Sequence, residues 1–414
     1  MIQRIWITIQ YFGVNGLANH AAAGAYGFLL SLMPALLIIA YFISTLFASS
    51  SHEAAQIIQN MGFLGGVFDV GGTVERFLDG FNPGLAGVAS LISILWAAIV
   101  FTFSLQRGLN SIFLNIKASN PIKAYLIPLS LEVAVIVFVF ITVMSAHLST
   151  LLFSVGVAPA TLKTGVAILP FLELGLLAFG AYRIVPNGEP SWKSALAGAT
   201  LCIIMYAILS VLFNVFINPE RYHIIYGMLG NLILLLAKVY FFFMFFFIGA
   251  QFAFVVEYFD ALLFIRLWMA RSNPKSFFID KFLFASIENG RLQKYCRLYQ
   301  PDETIFLQGE DSHEIYYILS GAARVYLANK RSGRQKRVAV ITADNFFGEM
   351  GYVLANKRSA TVKADADFSA LVLPPRLFEH VLTIDKNADN KVIEMLSERL
   401  KHTNDQLTQE TQAF

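Results

Sequence analysis

The fold of the C-terminal part of the chain is decided by the stretch Phe347-Gly348-Glu349-Met350-Gly351-Tyr352-Val353-Leu354-Ala355-Asn356-Lys357-Arg358-Ser359-Ala360-Thr361-Val362. Gly348 and Gly351 flank Glu349, a spacing that predicts a short helical turn whose unpaired backbone N–H groups attract an anion. Arg358 follows just before a β-prone segment, where its guanidinium can donate charge-assisted hydrogen bonds to a phosphate. A carboxylate beside a bound phosphate is useful when it accepts a hydrogen bond from a hydroxyl, such as a ribose 2′-OH. The stretch therefore predicts a site for a cyclic nucleotide.

The same stretch resembles the phosphate-binding cassette of the cyclic nucleotide-binding domain family, in which Phe-Gly-Glu is followed by a loop and then by Arg, a small residue, Ala and Thr or Ser. The resemblance implies that Glu349 binds the ribose 2′-OH, that Arg358 binds the cyclic phosphate, and that Ser359 lies beside it. Supporting backbone amides would come from Gly348, Glu349, Met350 and Gly351. Lys357 departs from the Pro of many members, although the catabolite activator type also lacks that Pro. A surface ion pair on a β-roll that binds nothing remains the alternative.

Composition divides the chain into a membrane part and a soluble part. Of its 414 residues, 56% are hydrophobic and only 14% are charged, which is too apolar for a soluble enzyme, and no catalytic residues are predicted. The first 260 residues hold only 20 of the 59 charged residues. A net charge of +3 gives no reason to expect a nucleic-acid partner. The two cysteines, Cys202 and Cys296, are expected to be reduced.

Six apolar stretches are long enough to cross a hydrocarbon core of about 30 Å. We predict an all-α bundle of six transmembrane helices at residues 21–47, 85–104, 125–147, 165–182, 194–217 and 228–257. Residues 1–20 carry apolar side chains among polar ones, in a pattern typical of an amphipathic helix that lies in the membrane interface. Residues 1–260 are therefore predicted to form a transmembrane domain, and membrane lipids are expected partners.

The distribution of basic residues near the ends of these stretches predicts the topology, since Lys and Arg accumulate on the cytoplasmic side. One side carries Arg4, Arg107, Lys117, Lys123, Arg183, Lys193, Arg266 and Arg271, and the other carries Arg76, Lys163 and Arg221. Both termini are therefore predicted to be cytoplasmic. This places the nucleotide site where cyclic nucleotide messengers occur.

Residues 1–260 also resemble the YihY/BrkB family of bacterial inner-membrane proteins. The matching segments, in order, are 25–34 (AYGFLLSLMP), 105–110 (LQRGLN), 182–187 (YRIVPN), 226–227 (YG) and 249–251 (GAQ). Lys238 stands where Trp is usual in the family, and Gln251 stands where Glu is usual. The resemblance implies a multi-pass protein of the bacterial inner membrane. Permease or lipid-related transport is the usual suggestion for the family, and nothing in this sequence supports the ribonuclease activity once ascribed to it.

Five polar residues within the predicted spans are candidates for a pathway through the bundle: Glu132, Glu173, Lys238, Gln251 and Glu257. Ionisable groups at membrane depth are costly and commonly face the bundle interior or a wet cavity. A carboxylate can pair with Lys238, either as part of such a pathway or as a structural ion pair. The seven scattered histidines form no cluster with the spacing of metal ligands, so no metal site is predicted.

Residues 273–414 are predicted to form a cytoplasmic β-roll with flanking helices, joined to the bundle by a coupling linker at 261–272. Short alternating apolar runs predict strands at 304–307, 315–319, 323–327, 338–341 and 370–373, and residues 390–408 predict a terminal helix. Further resemblances to the nucleotide-binding family are 308–310 (QGE) and 318–321 (ILSG). The terminal helix resembles that of the catabolite activator, which implies that Thr403 and Asn404 touch adenine. cAMP is therefore favoured over cGMP.

Together these features describe a multidomain membrane protein regulated by a cyclic nucleotide. The leading hypothesis is a transporter or permease whose bundle moves a solute or lipid under the control of cAMP. The alternatives are a membrane-anchored scaffold that recruits a partner when it binds cAMP, and a cyclic-nucleotide-gated channel. The channel is less favoured because no Thr-Val-Gly-Tyr-Gly type filter occurs in the sequence. The protein can also form a homo-oligomer.

Overall fold

The computed structural model describes residues 1–30, 85–113, 160–186, 190–216, 228–272, 290–328, 335–353, 356–365 and 367–385, with isolated helical positions at 75, 130, 133, 134, 137, 140, 141, 144, 390, 393 and 397. The chain forms two compact units, Met1–Glu257 and Tyr258–Phe414.

The first unit is helical. Its helices are α1 (Ile2–Val14), a helical stretch at 17–30, α2 (Leu85–Ile112), α3 (Ala160–Ile184), α4 (Trp192–Phe216) and α5 (Met228–Glu257). Four predicted spans fall on α2 to α5, whereas those at 21–47 and 125–147 extend beyond the described residues. Within the described part of the chain, two stretches have both the length and the hydropathy of a membrane span, Trp192–Phe213 and Ile233–Glu257.

Helices α4 and α5 approach each other closely because both carry glycine at the contact. A Cβ added to Gly249 would lie 2.7 Å from the carbonyl oxygen of Gly198, and the reverse substitution would also collide. Gly175 of α3 likewise leaves no room beside Ile203 of α4. Gly180 is different, since a Cβ there would meet nothing within 4 Å. Close packing against backbone thus explains Gly198 and Gly249, since small residues commonly allow such contacts between membrane helices. Gly175 faces only the end of the flexible Ile203 side chain, and packing does not explain Gly180.

Helix α4 also exposes a continuous apolar stripe. Ile204, Ile208, Val211 and Val215 recur at helical spacing, and each is between 51% and 69% exposed. Contiguous apolar surface of this kind is uncommon on soluble monomers and marks a surface that contacts lipid or another protein. The stripe is consistent with a helix that lies in hydrocarbon.

The second unit is built around two antiparallel four-stranded sheets. It contains helix α6 (Phe259–Ser272) and a short 3-10 helix (Arg291–Tyr295). The strands are β1 (Cys296–Tyr299), β2 (Thr304–Phe306), β3 (Ile315–Ser320), β4 (Ala322–Ala328), β5 (Gln335–Thr342), β6 (Phe346–Phe347), β7 (Thr361–Ala364) and β8 (Phe368–Leu373). Helices α7 (Glu349–Val353) and α8 (Pro375–Ile384) complete it. The strand orders are β1-β8-β3-β6 and β2-β7-β4-β5.

The core between the sheets follows the two-residue period of the strands. Alternate residues of β3, β7 and β8 point inward: Tyr316, Ile318, Val362, Ala364, Phe368, Ala370 and Val372. Phe306 and Phe347 join the same buried cluster. The five predicted strands coincide with β2, β3, β4, β5 and β8. Strands β1 and β6 and helix α8 are additional elements.

Candidate functional site

Glu349 is held at a tight turn between a strand and a helix. Strand β6 ends at Phe347, Gly348 follows with a φ of +81°, and Glu349 begins helix α7. The left-handed backbone at Gly348 is one that glycine adopts without strain. The turn directs the Glu349 side chain inward, where it is only 2% exposed. The carboxylate therefore lies in a largely desolvated position.

Arg358 is equally buried, at 2% exposure, and its guanidinium is fixed by hydrogen bonds to three groups. Its Nε donates to Ser312 Oγ at 2.9 Å, Nη1 donates to the Gly348 carbonyl at 2.7 Å, and Nη2 donates to the Glu314 carbonyl at 2.8 Å. These bonds use three of the five N–H groups of a guanidinium. Its orientation is thereby set by backbone on two sides.

Aromatic rings complete the surroundings of Arg358. The guanidinium carbon lies 4.1 Å from the ring centroid of Phe306 and 5.7 Å from that of Tyr316, which is cation–π geometry. Burial lowers the pKa of Arg358, while Tyr316 and the nearby carboxylates, including Glu349, act in the opposite direction. Burial also raises the pKa of Tyr316 well above its usual value.

The loop before Arg358 is tied to the loop between β2 and β3. The Gly309 N–H donates to the Arg358 carbonyl at 2.8 Å, and the Arg358 N–H donates to the Glu310 carbonyl at 2.9 Å. The Gln308 N–H donates to Thr361 Oγ1 at 3.0 Å. The segment 308–310, which resembles the nucleotide-binding family in sequence, thus supports the Arg358 backbone.

The other predicted nucleotide-site residues differ in exposure. Gly351 is buried, whereas Met350 and Ser359 are exposed. Thr403 and Asn404 lie outside the described residues. Ser312 and Glu314, which hold the guanidinium, were not predicted, because one contributes a hydroxyl and the other a backbone carbonyl that has no sequence signature.

The membrane candidates lie against different neighbours. Gln251 of α5 is fully buried, and its Oε1 accepts a hydrogen bond of 2.9 Å from Asn15 Nδ2, which follows α1. Lys238, also on α5, has its ammonium 5.6 Å from the ring centroid of Phe213 of α4. Glu173 is half-buried on α3. Glu132 falls outside the described residues.

A third polar contact of this unit lies at the end of α5, at Glu257, which the sequence also marks as a polar candidate, although its partners on α4 were not predicted. Glu257 Oε2 accepts three hydrogen bonds, from the Ser191 N–H at 3.0 Å, from Ser191 Oγ at 2.6 Å and from Ser194 Oγ at 2.6 Å. Ser191 immediately precedes α4, where helix N–H groups lack intrahelical partners and a negative charge is favourable. Glu257 thus fixes the end of α5 to the start of α4.

Comparison with known families assigns the two parts of the chain. The family described as Virulence factor BrkB matches residues 8–263, more than half of the chain. The chain belongs to the virulence factor BrkB family. In this BrkB-family protein, the family described as Cyclic nucleotide-binding domain matches residues 296–385, so the membrane part is followed by a cyclic nucleotide-binding domain.

Relatives of the BrkB-family part carry the name UPF0761 membrane protein. One from Psychromonas ingrahamii is 26% identical over 267 residues, covering 62% of this chain and 87% of the relative. One from Haemophilus influenzae is 24% identical over 256 residues, covering 58% of this chain and 90% of the relative. The chain is therefore a member of a family of membrane proteins.

Two solved structures are each similar to about a quarter of the chain. The Catabolite Activator Protein of Thermus thermophilus is 24% identical, with a TM-score of 0.26, and the match covers 28% of this chain and 55% of that one. The regulatory domain of Toxoplasma gondii PKA, determined with cAMP, is 19% identical with a TM-score of 0.23, and the match covers 25% of this chain and 38% of that one.

Proposed function

We propose that this protein binds cAMP through Glu349, Arg358 and Ser359, and that the nucleotide regulates its membrane part. The observation that carries the proposal is the burial of two opposite charges within one short segment, each side chain being 2% exposed. Burying a charge is costly in free energy unless an opposite charge and hydrogen bonds, from the protein or from a ligand, compensate it. Arg358 retains one further N–H on each of Nη1 and Nη2 beyond its bonds to the two carbonyls, which suits a phosphate oxygen.

The carboxylate of Glu349 is assigned to the ribose 2′-OH, because an ionised carboxylate accepts hydrogen bonds and cannot donate them. Ser359 follows Arg358 in the chain and is exposed, so its hydroxyl is available to a phosphate oxygen. The backbone N–H groups of residues 348–351 are proposed to support both. cAMP is favoured over cGMP through Thr403 and Asn404, on the strength of the sequence resemblance of their helix.

The assignment of Glu349 is tested by combining a change in the protein with a change in the ligand. Binding of cAMP and of 2′-deoxy-cAMP to the detergent-solubilised full chain is measured by calorimetry. A hydrogen bond to a charged group contributes about 1.5–3 kcal/mol, so wild-type protein should lose roughly tenfold or more in affinity on removal of the 2′-OH. In Glu349→Gln the amide oxygen is a neutral acceptor worth about 0.5–1.5 kcal/mol, so the difference between the two ligands should be several-fold smaller than in wild-type protein.

Glu303→Gln is the matched control, since Glu303 accepts its hydrogen bond from the Gln300 N–H outside the segment 347–359. It should keep the full difference between the two ligands. Equal binding of both ligands by wild-type protein would contradict the role of Glu349, and no saturable binding of cAMP or cGMP would contradict the site. Arg358→Ala is a weaker test, because it removes donors from three internal hydrogen bonds and endangers the fold.

For the membrane part, we propose a six-span, multi-pass protein of the bacterial inner membrane with both termini in the cytoplasm. The names of its relatives, the exposed apolar stripe of α4 and the asymmetry of basic residues support this location. Its proposed activity is movement of a solute or lipid, with Glu132, Glu173, Lys238 and Gln251 as candidate polar positions inside the bundle.

Flux from proteoliposomes tests this activity. Ions, organic anions and labelled lipids are followed with and without cAMP, and Glu349→Gln serves as the control that should need a roughly tenfold or higher cAMP concentration for the same effect. A cAMP-dependent flux supports the proposal, and one restricted to ions favours a channel. No flux of any class, together with intact cAMP binding, would favour an anchored scaffold that recruits a partner.

A further inference from the structure

Strands β3 and β6 carry pairs of aromatic residues that point alternately to the two faces of their sheet. Tyr316 pairs with Phe347, and Tyr317 pairs with Phe346. The rings of Tyr316 and Phe347 stack at 4.9 Å between centroids, and those of Tyr317 and Phe346 lie 5.0 Å apart. Successive residues of a strand face opposite sides. The two pairs are therefore adjacent in the backbone but belong to different layers of the unit.

The inner pair belongs to the surroundings of Arg358. Tyr316 lies under the guanidinium, and Phe347 directly precedes Gly348, whose carbonyl accepts from Arg358 Nη1. The Glu314 carbonyl, two residues before Tyr316, accepts from Nη2. Any displacement of the guanidinium is thus transferred to the backbone of β3 and to the end of β6.

The outer pair contacts helix α6. Phe264 packs against Tyr317 at 5.4 Å and 90°, and Trp268 packs against Phe346 at 5.0 Å and 88°. Phe264, Tyr317 and Phe346 are at most 1% exposed and Trp268 is 6% exposed. Interiors of this kind are closely packed and transmit strain instead of absorbing it. The position of α6 therefore follows the position of these two strands.

A polar lock fixes the C-terminal end of the helix to the same strands. Arg271 Nε donates to Asp344 Oδ1 at 2.6 Å, and Arg271 Nη2 donates to the Leu319 carbonyl at 2.7 Å. Tyr317 Oη donates to the same Asp344 oxygen at 2.9 Å. Tyr317 thus contacts α6 through its ring and holds the lock through its hydroxyl.

The N-terminal end of α6 is fixed by Asp260. Its Oδ2 accepts from Lys294 Nζ at 2.6 Å and from Tyr295 Oη at 3.0 Å, both on the 3-10 helix before β1. Along the chain, Glu257 ends α5, Tyr258 follows, and Phe259 begins α6. Glu257 is itself tied to Ser191 and Ser194 within the first unit. Both sides of the junction at Tyr258 are therefore anchored, each within its own unit.

We propose that α6 is the output element of the nucleotide site, that is, the helix through which nucleotide binding acts on the membrane part. Tyr316 and Phe347 on one face of the sheet connect the site, through Tyr317 and Phe346 on the other face, to α6. The hydrogen bonds among Arg271, Asp344 and Tyr317 hold the helix to these strands. The inference rests on the proposed cAMP site and deepens it. Nucleotide at Arg358 shifts β3 and β6, the outer aromatic pair moves α6, and the chain at Tyr258 passes the movement to the end of α5. This route does not require the predicted terminal helix at 390–408.

Hydrogen exchange measured by mass spectrometry on the detergent-solubilised full chain tests the route, with cAMP as the probe. In wild-type protein, saturating cAMP should slow exchange in the peptide 347–359 and change exchange in the peptide 259–272 by about fivefold or more, the lower end of typical coupling. In Arg271→Gln, the peptide 347–359 should still be protected by cAMP, while the response at 259–272 should fall below about twofold.

Arg324→Gln is the matched control, because Arg324 pairs with Asp302 and Asp365 away from α6, and it should keep both responses. If Arg271→Gln fails to fold, Tyr317→Phe removes only the hydroxyl of the lock, and it too should lose the response at 259–272.

Protection of 347–359 without any change at 259–272 in wild-type protein overturns the output role while the cAMP site stands. Retention of the full response at 259–272 by the lock variants overturns the lock. Absence of protection at 347–359 overturns the cAMP site and the inference with it.

Discussion

At the scale of single residues, Gly348 is a position where backbone conformation and packing both exclude a side chain. Its φ is +81°, and a Cβ there would lie 2.7 Å from Arg358 Nη1 and 3.1 Å from the Glu314 carbonyl oxygen. The sequence predicted that Gly348 borders the site, since a glycine beside a carboxylate in a turn commonly marks a backbone that approaches a ligand closely. It could not predict that the glycine also makes room for the arginine.

Gly348→Ala should therefore destabilise the second unit by more than backbone strain alone, which costs about 1–3 kcal/mol. It should also weaken cAMP binding because Arg358 must move. Gly309→Ala is the control, since Gly309 has a φ of +86° but a Cβ there meets nothing within 4 Å. Thermal unfolding and calorimetry compare the two variants. Equal losses in both would show that crowding at Gly348 has no role.

Cys296 gives a prediction for pH dependence. Burial raises the pKa of its thiol, so at a given pH a smaller fraction is thiolate than in a free cysteine. The thiolate is the reactive form, so at pH 8 iodoacetamide should alkylate Cys296 more slowly than it alkylates glutathione. The rate of Cys296 alkylation should rise as the pH increases beyond the ordinary thiol pKa of about 8.5. Mass spectrometry of a Cys202→Ala variant measures this rate. Alkylation at pH 8 as fast as that of glutathione would contradict the partly buried position of the thiol.

At the scale of elements, the strands with a clear apolar run could be predicted, and the shortest ones could not. Strand β3 reads Ile315-Tyr316-Tyr317-Ile318-Leu319-Ser320 and is buried on both faces, so its apolar run was recognisable. Strand β6 consists of two residues and is too short to show a period. Strand β1 reads Cys296-Arg297-Leu298-Tyr299 and has an exposed leucine, so no apolar face marks it.

The contact between α4 and α5 gives a prediction about helix packing. Gly198→Ala should destabilise the first unit, because its Cβ would collide with the Gly249 carbonyl. Gly180→Ala should be neutral or stabilising by up to about 1 kcal/mol, since alanine has the higher helix propensity and a Cβ there meets nothing within 4 Å. Thermal aggregation in detergent ranks the two variants. A Gly198→Ala protein as stable as wild type would mean that the helices do not meet through these glycines.

At the scale of the whole molecule, the order of an apolar membrane part followed by a more charged second part could be predicted from the uneven distribution of charge. The junction between them could not. Residues 261–272 suggested a linker, whereas the structure has a helix there, Phe259–Ser272, whose Phe264 and Trp268 are buried in the second unit. Its Arg266 and Arg271 fit the charge pattern of a segment beside a membrane, so composition alone could not distinguish a linker from an integral helix.

Because the chain forms two units, thermal unfolding in detergent can show how far the effect of the nucleotide extends. At a cAMP concentration about 100 times the Kd, binding stabilises the folded sensor by about 2.7 kcal/mol, so the unfolding transition of the second unit should move to higher temperature. If α6 passes the effect to α5, the transition of the first unit should move as well, because coupling between sites is reciprocal. Intrinsic fluorescence and calorimetry separate the transitions, with Glu349→Gln as the control, in which weaker binding should make both shifts smaller at the same cAMP concentration. A shift confined to the second unit would mean that the bundle does not sense the nucleotide, and the membrane part would then act only as an anchor.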